Sequence, residues 1–415
     1  MKYLNKELIL FLYSFFFNAF CILAQVNSQG LPEHIILNVT EDMTTSMAVN
    51  WRTDSTESIS KIQFAKENSM YNIGQDALEI LANSEELRYK DVSHWYHAIV
   101  LRDLLPNTMY AYRVGNGSKW SEWMNFKTAS KDNSPLKFIY FGDVQSSIKS
   151  LWSRVAKKAI RELPESQFIV YGGDIVNRGN NLNEWEDWFA ATGGVHQNVP
   201  IMPASGNHDH GDDSNNKYGI SVFWNKQFNL PKNGIESLTE TSYFVNIQNV
   251  KFIFLNTEMF NTDESIKKDQ VKWLEDVLKS NKEDWIILVM HHPIYSTKRN
   301  RDNIELREAI KPLIDKYNID LVLQGHDHTY ARGKDNIPMK IKEKSNATYI
   351  VSVAGPKMSD VLEADWMDVS HSHMQLFQTI EIDRNELFFK AFKVNGEIVD
   401  SFVITKKDGV NYIKN

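Results

Sequence analysis

The sequence predicts a β-sandwich followed by an α/β domain. Three observations carry that prediction. From about residue 31 to 128, short β-rich runs alternate with turn signals. From residue 136 onward, apolar strands alternate with helix-like stretches. Between them, residues 129–135 are polar and turn-rich and read as a linker. The length agrees, since 415 residues suggest two or three domains at about 150 residues each.

Composition narrows the function classes. With 46 Lys+Arg against 53 Asp+Glu the net charge is −7, which gives no electrostatic reason to expect nucleic acid or an anionic membrane surface. A hydrophobic share of 42% and a charged share of 24% exclude disordered and fibrous classes. The single cysteine, Cys21, excludes an intrachain disulfide framework, a Cys-built zinc site and an iron–sulfur cluster. Twelve histidines remain as candidate metal ligands.

Residues 1–24 read as a cleaved secretory signal. Lys2 and Lys6 form a positive start, residues 8–17 are apolar but for Ser14, and Ala24 precedes polar Gln25. Ser14 and Asn18 leave the run short of the ~20 apolar residues that a membrane span needs. A lipoprotein anchor on Cys21 would want a small residue where Phe20 stands. The reading puts the mature chain outside the cell or in a periplasm, free of the membrane, at a net charge of −8 once Lys2, Lys6 and Glu7 are gone. A mature chain without cysteine and rich in Lys, Asn and Ile favours a bacterial periplasm. The sequons at Asn38, Asn116 and Asn346 matter only on a eukaryotic secretory route.

Residues 35–39, 46–51, 97–101 and 110–114 are strand-like, with turns at Pro106-Asn107 and Gly115-Asn116-Gly117. In the second half, strands are expected at 136–141, 167–171, 199–204, 252–255, 285–290, 319–323 and 349–353. Helices are expected at 148–163 and near 268–280 and 304–317, and antiparallel strands over 374–405.

Five motifs end five of these apolar strands. They are Gly142-Asp143-Val144-Gln145, Gly172-Gly173-Asp174-Ile175-Val176-Asn177, Gly206-Asn207-His208-Asp209, His291-His292-Pro293 and Gly325-His326-Asp327-His328. Positions 143, 174 and 207 are 31 and 33 residues apart, about one strand–helix–strand unit, so each strand delivers its polar tip to the same sheet edge. Carboxylate oxygens and imidazoles without thiolate suit Fe, Mn or Zn. One carboxylate can bridge two ions, and two close ions clamp both ends of a phosphoryl transfer. Gly-His-x-His should arise by chance only about 0.02 times in such a chain.

On these motifs the chain resembles the purple acid phosphatases of the calcineurin-like metallophosphoesterase superfamily. The stretches Met47-Ala48-Val49-Asn50-Trp51 and Tyr110-Ala111-Tyr112-Arg113-Val114-Gly115 are similar to that family's fibronectin-III-like N-terminal sandwich. The resemblance implies domains at 31–128 and 136–405, the second a four-layer αββα fold. It also implies two metal ions, Fe with Fe, Zn or Mn. Asp143 and His328 would hold the first, Asp174 would bridge, and Asn207, His291 and His326 would hold the second. His291 rather than His292 fits the His-x-Pro ligand. His208 would lie beside the phosphate.

The chain departs from the family at two points. The tyrosine that binds ferric iron three residues after the bridging aspartate is here Asn177, which predicts no purple charge-transfer band. Related phosphoesterases carry a histidine where Gln145 stands; that amide could ligate weakly, bond a water, or do neither. Where plant-type members carry histidines that grip phosphate, this segment has none; Lys298, Arg299 and Arg301 could grip an anionic ester instead, or form a solvated basic loop. Arg178 and Arg332 follow metal motifs closely, while His371 and His373 read as surface or loop residues.

The implied reaction is hydrolysis of small phosphate monoesters by in-line attack of a hydroxide held by the ions. His208, oriented by Asp209, would protonate the leaving alkoxide. The alternatives are a phosphodiesterase or nucleotide pyrophosphatase on the same site, or a surface-binding module with a vestigial metal site. A peroxidase-like activity would need a redox ion, for which Asn177 makes no case.

Overall fold

The computed structural model describes residues 30–68, 72–211, 219–260, 262–334 and 347–415. The signal reading at 1–24, Cys21 and the Asn346 sequon lie outside them. Among the described residues no helix is long and apolar enough to cross a membrane.

The first half is all β: β1 (Glu33–Asn38), β2 (Met47–Asp54), β3 (Lys61–Lys66), β4 (Leu78–Leu81), β5 (Asn83–Tyr89), β6 (Val92–Leu101), β7 (Met109–Gly115) and β8 (Met124–Lys127). The four expected strands are present, and β3, β4, β5 and β8 join them. Strands β4-β3-β7-β8 form one sheet. The facing one, β1-β2-β6-β5, does not stop at a domain edge. Its β1 runs parallel to β11 (Ile201–Pro203), with Asn38 opposite Ile201, and continues into the catalytic sheet. Asn38 is buried on that seam and bonds Asn50 at 3.3 Å, so this sequon cannot carry a glycan in the folded chain.

The shared sheet has eleven strands. Beyond β11 it runs through β10 (Phe168–Tyr171) and β9 (Leu136–Phe141), which are parallel, and then through antiparallel β19 (Leu376–Asp383), β20 (Glu386–Lys393), β21 (Ile398–Lys407) and β22 (Val410–Lys414). The chain therefore stays in the sheet past residue 405. A second, seven-stranded sheet has the order β12 (Tyr243–Ile247), β13 (Val250–Leu255), β14 (Trp285–Met290), β15 (Leu321–Gln324), β17 (Thr348–Val351), β16 (Tyr330–Gly333) and β18 (Met367–His371).

Side-chain alternation builds four layers from these sheets. In β14, Trp285, Ile287 and Val289 face the first sheet, and Ile286, Leu288 and Met290 face outward. The outward row packs on α3 (Glu264–Lys279) and α4 (Ile304–Lys316) through Leu274, Leu278, Ile310 and Ile314. Between the sheets Phe252 meets Phe138 and Phe168 edge-on, at 5.3 Å each. The other face of the first sheet is covered by α1 (Ser153–Glu162) and α2 (Leu182–Thr192), through Trp152 on Phe141 and Trp188 on Tyr171. With both faces covered, strands such as β14 are apolar throughout rather than alternating. Helix α2 is not among the helices expected from sequence; Asn181 caps it, and Gly193 ends it at φ +59°.

Candidate metal centre

All five motifs lie at the carboxyl ends of parallel strands: β9, β10 and β11 in one sheet, β14 and β15 in the other. Two sheets packed face to face put these ends together. His326 Nδ1 lies 2.9 Å from Asn207 Oδ1 and 3.2 Å from His291 Nε2. His291 Nε2 lies 3.1 Å from Asn207 Oδ1 and 3.3 Å from Asp174 Oδ2. On the other side of Asp174, ligand atoms of Asp143, Asp174 and His328 fall within 4.8 Å of one another. The six residues thus form two adjoining donor sets that share Asp174.

The surroundings aim these donors. His291 donates from Nδ1 to the Gly172 carbonyl at 2.9 Å, leaving Nε2 toward the cluster. The His326 backbone N–H donates to Asp143 Oδ2 at 2.6 Å and that of His208 to Asp174 Oδ1 at 2.8 Å. A Cβ at Gly206 would lie 2.2 Å from Asp174 Oδ1, so only glycine lets the two loops close.

Charge and chemistry both fit a cation here. Burial opposes charge on His291, yet the carboxylates of Asp174 and Asp143 push it up to about 10. Burial likewise raises Asp143, but the His328 contact and the charges of His291 and His328 hold it at about 2. Burial and its histidine neighbours lower His326, keeping a lone pair on it. Oxygen and imidazole donors without thiolate suit a borderline or hard ion.

Gln145 reaches this centre. Its Nε2 is 2.6 Å from Asp174 Oδ2, 3.5 Å from Asp143 Oδ1 and 3.2 Å from His328 Nε2. His292 turns away: it meets Thr257 Oγ1 at 2.9 Å and Glu258 at 3.6 Å, and its ring packs on His326. Asn177 contributes its backbone, whose carbonyl accepts from His208 Nδ1 at 2.7 Å.

That contact corrects one expectation. Asp209 does not orient His208. Its carboxylate is buried and accepts from the backbone N–H groups of Ile175, Val176 and Gly206 at 2.9, 3.3 and 2.9 Å. Burial and the charge of Asp174 push it up to about 8. Asp209 ties the β10 loop to the β11 loop, and the Asn177 carbonyl holds the imidazole.

The expected phosphate cations are also redistributed. Arg301 is taken up by buried Asp327 at 2.7 Å and the His326 carbonyl at 3.2 Å. Lys298 lies within electrostatic reach of Asp143 and Asp327, while Arg299 is exposed. Arg332 is buried on Asp400 at 2.8 Å, joining β16 to β21 across the sheets. Arg178 pairs with Glu184 at 2.7 Å on the rim. His371 lies in β18 against Tyr330, and exposed His373 pairs with Asp360.

Two groups were missed. Lys357 Nζ is 2.9 Å from Gln145 Oε1 and 3.3 Å from His208 Nε2. Glu258 follows β13 and is pushed up by burial. Both follow apolar strands, the same place as the five motifs, and that position was the available signal. A cleft of about 940 Å³ opens beside His208, lined by Asn177, Arg178, Asn180, Asn183 and, from the β5–β6 turn, Tyr89 and Lys90.

Two packed mixed sheets with a carboxylate–histidine centre at their strand ends define a metallophosphoesterase. Comparison with known proteins agrees. Residues 136–330 match the family model of the calcineurin-like phosphoesterases and 32–128 that of the purple acid phosphatase N-terminal domain. A probable inactive purple acid phosphatase of Arabidopsis thaliana is 26% identical over 365 residues, 75% of this chain and 58% of that relative. Another, named probable purple acid phosphatase 20, is 27% identical over 56% of this chain and 54% of its own length. The chain thus spans little more than half of these relatives. A purple acid phosphatase from yellow lupin seeds superposes with a TM-score of 0.75 at 18% identity, over 91% of this chain and 75% of that one. The structure of PhoD superposes at 0.67 and 13% identity, over 92% and 91%. The chain is thus a purple acid phosphatase-like protein, its residues 136–330 matching the calcineurin-like phosphoesterases and its residues 32–128 the purple acid phosphatase N-terminal domain.

Proposed function

We propose that the chain is an exported, metal-dependent phosphatase that hydrolyses small phosphate monoesters. The observation behind this reading is the complete set of Asp143, Asp174, Asn207, His291, His326 and His328 around one centre. Some relatives carry names that mark them inactive, so activity rests here on this chain's own residues. Asp143, Asp174 and His328 would hold one ion and Asp174, Asn207, His291 and His326 a second, Fe with Fe, Zn or Mn. Bound ions supply Lewis-acid charge at phosphorus and make water a nucleophile near neutral pH.

The chain's own residues do the rest. The Asn177 carbonyl fixes His208 Nδ1, so Nε2 points to the cleft, where the imidazolium form hands a proton to the leaving oxygen. Gln145 donates to Asp174 and keeps that carboxylate turned toward the centre. Asp209 holds the two loops at the separation this needs. A diester or nucleotide pyrophosphate substrate is the second reading, favoured by the volume of the cleft beside His208, about 940 Å³.

Metal analysis of the purified protein, with activity restored ion by ion after chelation, tests the proposal. Two ions per chain and recovered monoester turnover are expected; failure to bind two would undo it. Turnover of mono- against diesters separates the two readings.

A further inference from the structure

The turn after β17 brings a cation to the centre from a part of the chain that carries no ligand motif. Val353 bridges Asp143 in parallel register, and the backbone N–H groups of Ala354 and Gly355 donate to the Asp143 carbonyl at 3.0 and 2.6 Å. A Cβ on Gly355 would lie 2.1 Å from the Val144 carbonyl oxygen, so only glycine lets the turn lie on the Asp143 loop. Gln375 Nε2 donates to the Ala354 carbonyl at 3.0 Å and pins the turn from behind. Lys357 therefore starts from a fixed backbone.

Its ammonium meets one neutral acceptor, Gln145 Oε1 at 2.9 Å, and lies 3.3 Å from His208 Nε2, which accepts from it only while the imidazole is unprotonated. Lys357 has no carboxylate partner among the described residues. Gln145 bonds Asp174 in turn, so the charge stands one amide away from the shared ligand. An ammonium satisfied only by neutral acceptors keeps its full attraction for an anion. Of the sequence-expected cations, Arg301 is held by Asp327 and Arg299 is exposed, while Lys298 stands within electrostatic reach of both Asp143 and Lys357.

We infer that Lys357 grips a non-bridging oxygen of the phosphoryl group and biases the site toward monoester dianions. A monoester near neutral pH carries close to two negative charges and a diester one, so a contact cation favours the monoester. This deepens the phosphatase reading and rests on it for turnover. As an anion-binding assignment it can be tested without turnover.

The experiment compares wild type, K357M and K357R as metal-loaded proteins of matched metal content and melting temperature. Affinity for inorganic phosphate is measured by calorimetry, and kcat/KM for an aryl phosphate monoester and a bis-aryl diester by rate. K357M should weaken phosphate about 10- to 100-fold and cut the monoester by a similar factor, as loss of a charge-assisted hydrogen bond does, with the diester hardly changed. K357R should regain most of both. Equal loss on both esters, unchanged phosphate affinity, or no phosphate binding by wild type overturns the assignment. If phosphate affinity falls in K357M while wild type turns over neither ester, Lys357 keeps its role and the phosphatase reading falls.

Discussion

Asp174, His326 and His328 hold left-handed φ values of 51°, 70° and 56°. For a residue with a Cβ that conformation costs about 1–2 kcal/mol, so the fold spends stability on aiming donors. Asparagine tolerates this region better than most residues. In the metal-free protein D174N relieves this strain and the repulsion with Asp209 but takes away the carboxylate that faces His291 at 3.3 Å, so it should be no more stable than wild type. The same variant should lose bound metal, since the shared donor is gone. Elemental analysis and a melting curve read the two halves separately; full metal content in D174N would refute the bridging role. At His208 the expected signature is unequal loss. H208A should slow alkyl esters with poor leaving groups by about 10²–10⁴-fold and activated aryl esters far less. Equal loss on both would remove the acid role.

At the scale of elements, α2 joins the two halves of the chain. Its Glu186 pairs with Arg52 of β2 and lies 3.0 Å from His34 of β1, whose ring stacks on Phe189 at 4.0 Å. Arg52 is buried and also pairs with Glu33 at 2.8 Å. Glu186, by contrast, is 39% exposed, so removing its carboxylate costs well under the ~3–5 kcal/mol of a fully buried pair, and Glu33 compensates in part. E186A should lower the urea midpoint without changing metal content. An unchanged midpoint would mean that Glu33 alone satisfies Arg52. Sequence periodicity found α1, α3 and α4 but not α2. Its face toward the sheet is built from Trp185 and Trp188 and its start from polar Asn181, so the run reads as mixed until the sheet that buries the tryptophans is known.

The whole molecule carries a second kind of electrostatic load. His196 is buried against Tyr171 and Trp188, and burial holds it down at about 3. Burial likewise holds His97, in β6 between Thr53 and Ser84, at about 4. Both are neutral when folded, and the unfolded chain takes up protons below about 6.5. The stability they add is complete above that pH and is lost as pH falls toward 3–4, at about 1.4 kcal/mol per unit and per histidine. Melting temperature should thus drop steeply between pH 6.5 and 4, and H196Q should flatten that slope. A slope unchanged in H196Q would show that His196 does not control it.

The sequence by itself determined a β-rich half followed by an α/β half and the five polar motifs at strand ends; the four-layer class and the six donors came with the family resemblance those motifs carry. Each donor lies directly after an apolar strand, and parallel strands deliver their carboxyl ends to one edge whatever the loops do. Only the tertiary structure decided what surrounds them. It gave His208 to the Asn177 carbonyl instead of Asp209, bound Arg301 to Asp327, and fused the sandwich to the catalytic sheet through β1 and β11. It also brought Lys357 to Gln145 and His208, partners 212 and 149 positions away. The physical reason is range. A strand end is set by local periodicity and one topological rule, whereas the partner of a loop side chain is fixed only when distant segments close against each other.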